Sequence, residues 1–228
     1  MLKSPAKDPT KRLGSLVVNP GGPGGSGYEF AQYASGTISP AVMAQYDVVG
    51  FDPRGVARST PIKCLDGPET DKFISTLGAP ANAEQQRRVE QVSKGLGTNC
   101  QAKSPALTPQ IGTVAAARDL DILRNLLREE QLNFLGISYG TFLGLTYADL
   151  FSDRVGKFVL DGVIDPALSN SELARGQADG FQVELSRLIA DCSAYPVCPL
   201  PAAKSAGLAT INSWLASIAM SPIRAVPD

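Results

Sequence analysis

The chain has 228 residues, with 43% hydrophobic and 19% charged, enough to bury one sizeable core and outside the range of disordered chains. Its 21 basic and 22 acidic residues leave a formal net charge of -1, which excludes a basic nucleic-acid binder and an acidic solvating tail. It contains no histidine, so any histidine-dependent metal site or Ser-His-Asp chemistry has to be completed by groups outside these residues.

In chain order, the start (MLKSPAKDP) has no apolar core of the kind a signal peptide carries, and no run later approaches the ~18 to 20 residues of a spanning helix. Leu13 to Asn19 (LGSLVVN) is a continuous apolar run ending at Gly and Pro, which predicts a buried strand. No strand is expected before it. A loop, PGGPGGSG, occupies residues 20–27, and a short helix is expected over 28–35. Tyr46 to Asp52 predicts a second strand, followed by a polar loop over 53–67 and helices over 68–77 and 82–97.

Residues 113–128 predict the clearest helix, with Thr113 as N-cap and Leu120, Leu123 and Leu127 at helical spacing, as are Ile122 and Leu126. Leu132 to Gly136 predicts a third strand, Tyr139 to Phe151 a helix, and Lys157 to Asp161 a fourth strand. Strand-helix alternation with continuous apolar strands predicts an α/β fold, a parallel sheet covered by helices on both faces. After Pro166 the pattern becomes helical: Phe181, Leu185 and Leu188 stripe one helix, and residues 205–219 form another. A domain boundary is therefore placed at 166, with a core over 1–166 and a helical part over 167–228.

Gly136-Ile137-Ser138-Tyr139-Gly140 matches G-x-S-x-G between an apolar strand and a helix. That chemistry needs a sharp, strained turn that presents the serine, with small residues on either side to avoid the neighbouring strand and helix. An oxyanion hole then needs the N–H of the residue after the serine, Tyr139, and one from a glycine loop after an earlier strand. The loop at 21–27 supplies it; Pro23 has no N–H, so the donor is Gly22 or Gly24. Read as a phosphate cradle, the same loop lacks the Gly-Lys-Ser/Thr ending of a P-loop. Asp52 and Arg54, after the second strand, form either a pair bracing the loops or a solvated surface turn. Lys157 starts its strand, at the end away from the serine, and does not suit a Ser-Lys dyad. Asp161 reads as a loop-bracing residue. No metal or cofactor motif is present: Cys64, Cys100, Cys192 and Cys198 lack zinc-ligand spacing, and spacing leaves open four reduced thiols in a cytoplasmic protein or two disulfides.

Taken together, Asn19-Pro20-Gly21-Gly22-Pro23-Gly24-Gly25-Ser26-Gly27, Asp52-Pro53-Arg54-Gly55, Ala117-Arg118-Asp119-Leu120-Asp121, Gly136 to Thr141 and Val159 to Pro166 resemble the α/β-hydrolase superfamily. They are most similar to tripeptidyl- and prolyl-aminopeptidase-like serine peptidases of actinobacterial type. The resemblance implies Ser138 as nucleophile, Tyr139 and Gly22 as oxyanion donors, with Gly24, Asp52, Arg54, Gly136 and Gly140 in support. It implies Cys64–Cys100 and Cys192–Cys198 disulfides and a secreted or cell-envelope location. It also implies that residues 167–228 begin a helical cap over the site. Ala57 stands where the family's D-x-R-G-x-G-x-S pattern has a second glycine. The family's triad Asp and His follow its cap, so the expectation is a partial hydrolase core. It would act on a peptide or ester, with a second chain or segment carrying the Asp and His, and alone would be inactive and expose a sheet edge. A hydrolase-like domain that binds without turnover is the alternative.

Overall fold

In a computed structural model that describes residues 1–76, 78, 80 and 82–221, the elements run β1 (Leu2–Ser4), β2 (Gly14–Asn19), α1 (Gly27–Gln32), α2 (Pro40–Gln45) and β3 (Tyr46–Gly50). They continue with α3 (Gly67–Thr76), α4 (Ala83–Lys103), α5 (Thr113–Leu126), β4 (Leu132–Ile137), α6 (Tyr139–Leu150), β5 (Val155–Asp161), α7 (Asn170–Cys192) and α8 (Lys204–Met220). Leu77, the last residue of one expected helix, lies outside the described residues, as do residues 222–228 of the expected helical part.

The five strands form one sheet in the order β1-β3-β2-β4-β5. β2, β3, β4 and β5 are parallel, and the inner strands are buried on both faces, which is why they read as unbroken apolar runs. One face carries Val17, Val49, Leu132 and Phe134 against Ala117 and Leu120 of α5 and Leu143 and Tyr147 of α6. The other carries Val18 and Val48 against Ala31, Ala34, Ile38 and Met43. Val17, Val18, Val48, Val49 and Phe134 are at most 1% exposed, and burying each contributes about 1.5–3 kcal/mol.

Several expectations are corrected. β1 exists before residue 13 and pairs antiparallel to β3 (Lys3 opposite Val49), so the sheet is mixed rather than wholly parallel. Its three residues carry one apolar side chain, too little for a periodic signal. The segment is held instead by the buried carboxylate of Asp47, which accepts from the Ala6 N–H (2.9 Å), Lys3 Nζ (2.6 Å) and Arg12 Nε (2.9 Å). α2, a six-residue helix capped by Ser39 with Pro40 at its start, was not expected. Thr113 is the first residue of α5 rather than its cap; Gly112 occupies that position without a side-chain bond. α4 runs on to Lys103, past the expected end at 97.

The contacts divide the chain after Pro166 into two compact units. In the second, Ser169 and Glu172 form a reciprocal capping box that starts α7. The buried contact between α7 and α8 is made by Ile189, packed where Gly207 has no side chain. The stripe read on α7 is not its core: Phe181 and Leu188 are exposed.

Candidate active site

β2 and β4 are neighbours in register, Asn19 opposite Gly136, so the glycine loop after β2 and the turn after β4 leave the sheet at the same edge. Open α/β sheets build their sites at this carboxyl end of the strands. Ser138 sits between β4 and α6 at φ 54°, ψ -121°, a strained conformation for a residue with a side chain, and it is exposed. The surroundings hold it there. Its N–H donates to the Asp161 carbonyl (2.8 Å), and its own carbonyl accepts from the Thr141 N–H (2.9 Å) and Thr141 Oγ1 (2.6 Å). Thr141 Oγ1 in turn accepts from the Ile164 N–H (2.9 Å), so the chain leaving β5 is tied to the same turn.

The flanking glycines are required by contact. A Cβ on Gly136 would lie 2.4 Å from the Gly140 carbonyl oxygen, and one on Gly140 2.7 Å from that of Asn19. Gly21, at φ 98°, passes so close that a Cβ would sit 2.5 Å from the Ile137 carbonyl oxygen, 2.9 Å from Ser138 Cβ and 3.2 Å from the Tyr139 nitrogen. The loop is therefore laid directly against the serine.

Its amides sort themselves by hydrogen bonding. The Gly21 N–H donates to Asn19 Oδ1 (2.9 Å) and the Gly25 N–H to the Gly21 carbonyl (3.1 Å). Pro23, after a cis peptide bond, has none. Gly22 and Gly24 keep N–H groups with no partner among the described residues, as does Tyr139 at the first position of α6.

Asp52 and Arg54 both brace the loops but do not pair with each other, which corrects the expectation of a direct pair. Asp52 is 3% exposed and accepts from Ser26 Oγ (2.6 Å), the Tyr28 N–H (3.2 Å) and the Arg58 N–H (3.1 Å). Burial pushes its carboxyl up, but these hydrogen bonds and the Arg58 charge outweigh that and hold it below the usual carboxylate range. Arg54 instead forks onto Asp119 of α5 (2.7 and 2.5 Å) and donates to the Gln110 carbonyl (3.3 Å). Thr113, next along, shares a 2.8 Å hydrogen bond with the Tyr139 hydroxyl.

Asn19, Thr113 and Asp119 carry roles that the sequence reading did not assign. Asn19-Pro20 after a strand is a local signal for a side chain bonding two residues on, as it does to Gly21. Asp119 had no such signal, since its partner is 65 residues away. Lys157 lies at the opposite sheet end, its Nζ 3.2 Å from the Tyr46 hydroxyl at the start of β3. Asp161 braces the turn, as expected of it, through its carbonyl, which accepts from the Ser138 N–H, while the residue itself is exposed. Cys64 is bonded to Cys100 and Cys192 to Cys198.

Comparison with known proteins bears on the fold. A family described as the alpha/beta hydrolase fold matches residues 14–215. The chain is 39% identical over 193 residues to the Serine protease Hip1 of Mycobacterium tuberculosis, covering 84% of this chain and 37% of that protein. It is 42% identical over 162 residues to the Tripeptidyl aminopeptidase of Streptomyces coelicolor, covering 69% and 30%. It is 40% identical over 193 residues to the Carboxylesterase B of Mycobacterium tuberculosis, covering 83% and 37%. The chain thus spans about a third of the length of these relatives.

Proposed function

We propose that this chain, which belongs to the α/β-hydrolase family, carries the nucleophile and oxyanion half of a serine hydrolase that cleaves peptides. One observation carries the reading: an exposed serine strained to φ 54° at a strand-helix turn, beside a glycine loop with unbonded amides. Ser138 Oγ attacks the substrate carbonyl carbon while its proton passes to a general base. The Tyr139 and Gly22 amides hold the resulting oxyanion, and each such donor is worth about 2.7–4 kcal/mol in the transition state. The tetrahedral intermediate collapses, the amine leaves with the proton, and water hydrolyses the acyl-serine by the same steps.

The base is not among these residues, which include no histidine. We assign the histidine and its carboxylate partner to polypeptide outside them, and expect the 228 residues alone to turn over little. Without the base, an oxyanion hole and binding alone leave about 10³–10⁴-fold over water. The peptide reading rests on similarity to a serine protease and a tripeptidyl aminopeptidase, and it extends to release of short peptides from peptide N-termini. Similarity to a carboxylesterase keeps ester cleavage as the second reading. The helical unit from Ala167 onward is read as the beginning of a cap. Two disulfides fit an extracytoplasmic location, where thiols are oxidised.

A fluorophosphonate probe tests the proposal. Ser138 is expected to be labelled when a histidine-bearing remainder of the hydrolase is supplied, and Ser138→Ala to abolish labelling. Should Ser138 stay unlabelled with that remainder present while peptide still binds, the domain is a non-catalytic binder.

A further inference from the structure

The helical hairpin α3–α4 contains no fully buried residue and leaves two adjoining cavities between its helices, away from Ser138. One, of about 460 Å³, is lined by Lys72, Ser75, Thr76, Gln85, Arg88 and Val89. The other, of about 160 Å³, is lined mainly by Leu65, Phe73, Val92, Gly95 and Leu96, with Glu69 and Asn99 also in its wall, and shares Lys72 with the first. The first is within the size range of small-molecule sites.

The first cavity is the more polar of the two, and the second is mostly apolar. Lys72 stands where the two cavities meet and Arg88 lines the first, and among the described residues neither the ammonium nor the guanidinium has a hydrogen bond or ion pair. Glu69, the carboxylate in the wall of the second cavity, is already engaged by Lys103 Nζ at 2.6 Å and by the Asp66 N–H. Val89, Val92 and Leu96 recur three and four residues apart on α4 and run an apolar face from the first cavity into the second. Gly95 lies in the same wall. A mid-helix glycine costs about 0.5–1 kcal/mol relative to alanine, yet a Cβ at Gly95 would meet nothing within 4 Å. No contact among the described residues requires that glycine, and its missing side chain keeps the groove open.

We infer that the α3–α4 groove binds a single-chain aliphatic carboxylate, its headgroup between Lys72 and Arg88 and its tail along Val92, Gly95 and Leu96 toward Phe73 and Leu65. Two cations suit a carboxylate through charge-assisted hydrogen bonds, and the apolar wall takes the hydrocarbon. This does not rest on the hydrolase reading, since no residue of the groove belongs to the serine site.

The test titrates the purified chain with 11-(dansylamino)undecanoic acid, following dansyl emission. Saturable binding at one site is expected, displaced by dodecanoate but not by dodecanol or inorganic phosphate. Lys72→Gln and Arg88→Gln, both at exposed positions, should each weaken binding about tenfold with unchanged melting. Lys72→Arg should keep it, and Gly95→Phe should abolish it by filling the groove. Unsaturable binding, equal displacement by dodecanol, or undiminished affinity in the Gln and Phe variants would each overturn the proposal.

Discussion

At the scale of single residues, the site is a set of positions where a side chain is either forbidden or buried against its preference. Gly21→Ala would force a methyl into the Ile137 carbonyl and Ser138 Cβ at a φ of 98°. A loss of about 3 kcal/mol in unfolding free energy is expected, together with loss of fluorophosphonate labelling once the base is supplied. Asp52 gives a pH-dependent counterpart. Its carboxylate accepts three hydrogen bonds, so an amide at that position would set a donor against a donor. Asp52→Asn should cost about 1–3 kcal/mol at neutral pH. The sign follows from the depressed carboxyl: the native state holds it ionised to lower pH than the unfolded chain does. Its stabilisation is full above the unfolded pKa of about 3.9 and is lost as pH falls through the lower native value. Urea midpoints measured at pH 7 and again near pH 3 should therefore differ less in the variant than in the wild type. A residual difference should persist, because Asp47 and Asp121 are depressed in the same way.

Among elements, α5 joins the two loops that flank the serine. Through Asp119 it holds the Arg54 loop after β3, and through Thr113 it holds Tyr139 after the nucleophile. Arg54→Lys keeps the charge but loses the fork, so about 1 kcal/mol of coupling to Asp119 should vanish in a double-mutant cycle with Asp119→Ala. The strands and helices of the core were legible because continuous apolar runs bounded by Gly and Pro leave a local trace, as in Val17-Val18 and Val48-Val49. β1 and α2 left almost none, since pairing and capping hold them rather than pattern. The same divide separates the site residues. Ser138 is readable from five consecutive letters, but choosing among loop amides requires knowing that Gly21 and Gly25 are already bonded. The Arg54–Asp119 fork spans 65 residues and has no sequence signature. An edge strand gives another element-level test. Val159 of β5 is 59% exposed on a strand that is paired on one side only among the described residues, a surface that invites pairing with other chains. Val159→Lys should lower self-association, read by light scattering across a concentration series, while leaving the melting temperature within a few degrees.

For the whole molecule, two units and two covalent links suggest that oxidation state governs stability unevenly. The Cys64–Cys100 bridge lies in the first unit and closes a segment of 36 residues from the polar loop after β3 to α4. It sits where noncovalent anchoring is thin: Lys63 exchanges hydrogen bonds with Ser104 Oγ, and Thr108 Oγ1 donates to the Cys100 carbonyl, yet neither helix of that hairpin buries a residue fully. The Cys192–Cys198 bridge lies in the second unit and closes only six residues after α7. Chain-entropy reasoning then gives about 4 kcal/mol for the longer loop and about 2 kcal/mol for the shorter, because the unfolded chain loses more freedom when distant residues are joined. Cys64→Ala/Cys100→Ala should thus lower unfolding free energy about twice as much as Cys192→Ala/Cys198→Ala, measured for each unit by hydrogen exchange at assigned amides. The sheet amides of Val17, Val49 and Phe134 belong to the first unit and should lose protection only with the first pair. The α7 amides around Ile189 should respond only to the second. Equal loss of protection in both places from either pair would mean that the units unfold as one, and that the division after Pro166 is not an energetic boundary.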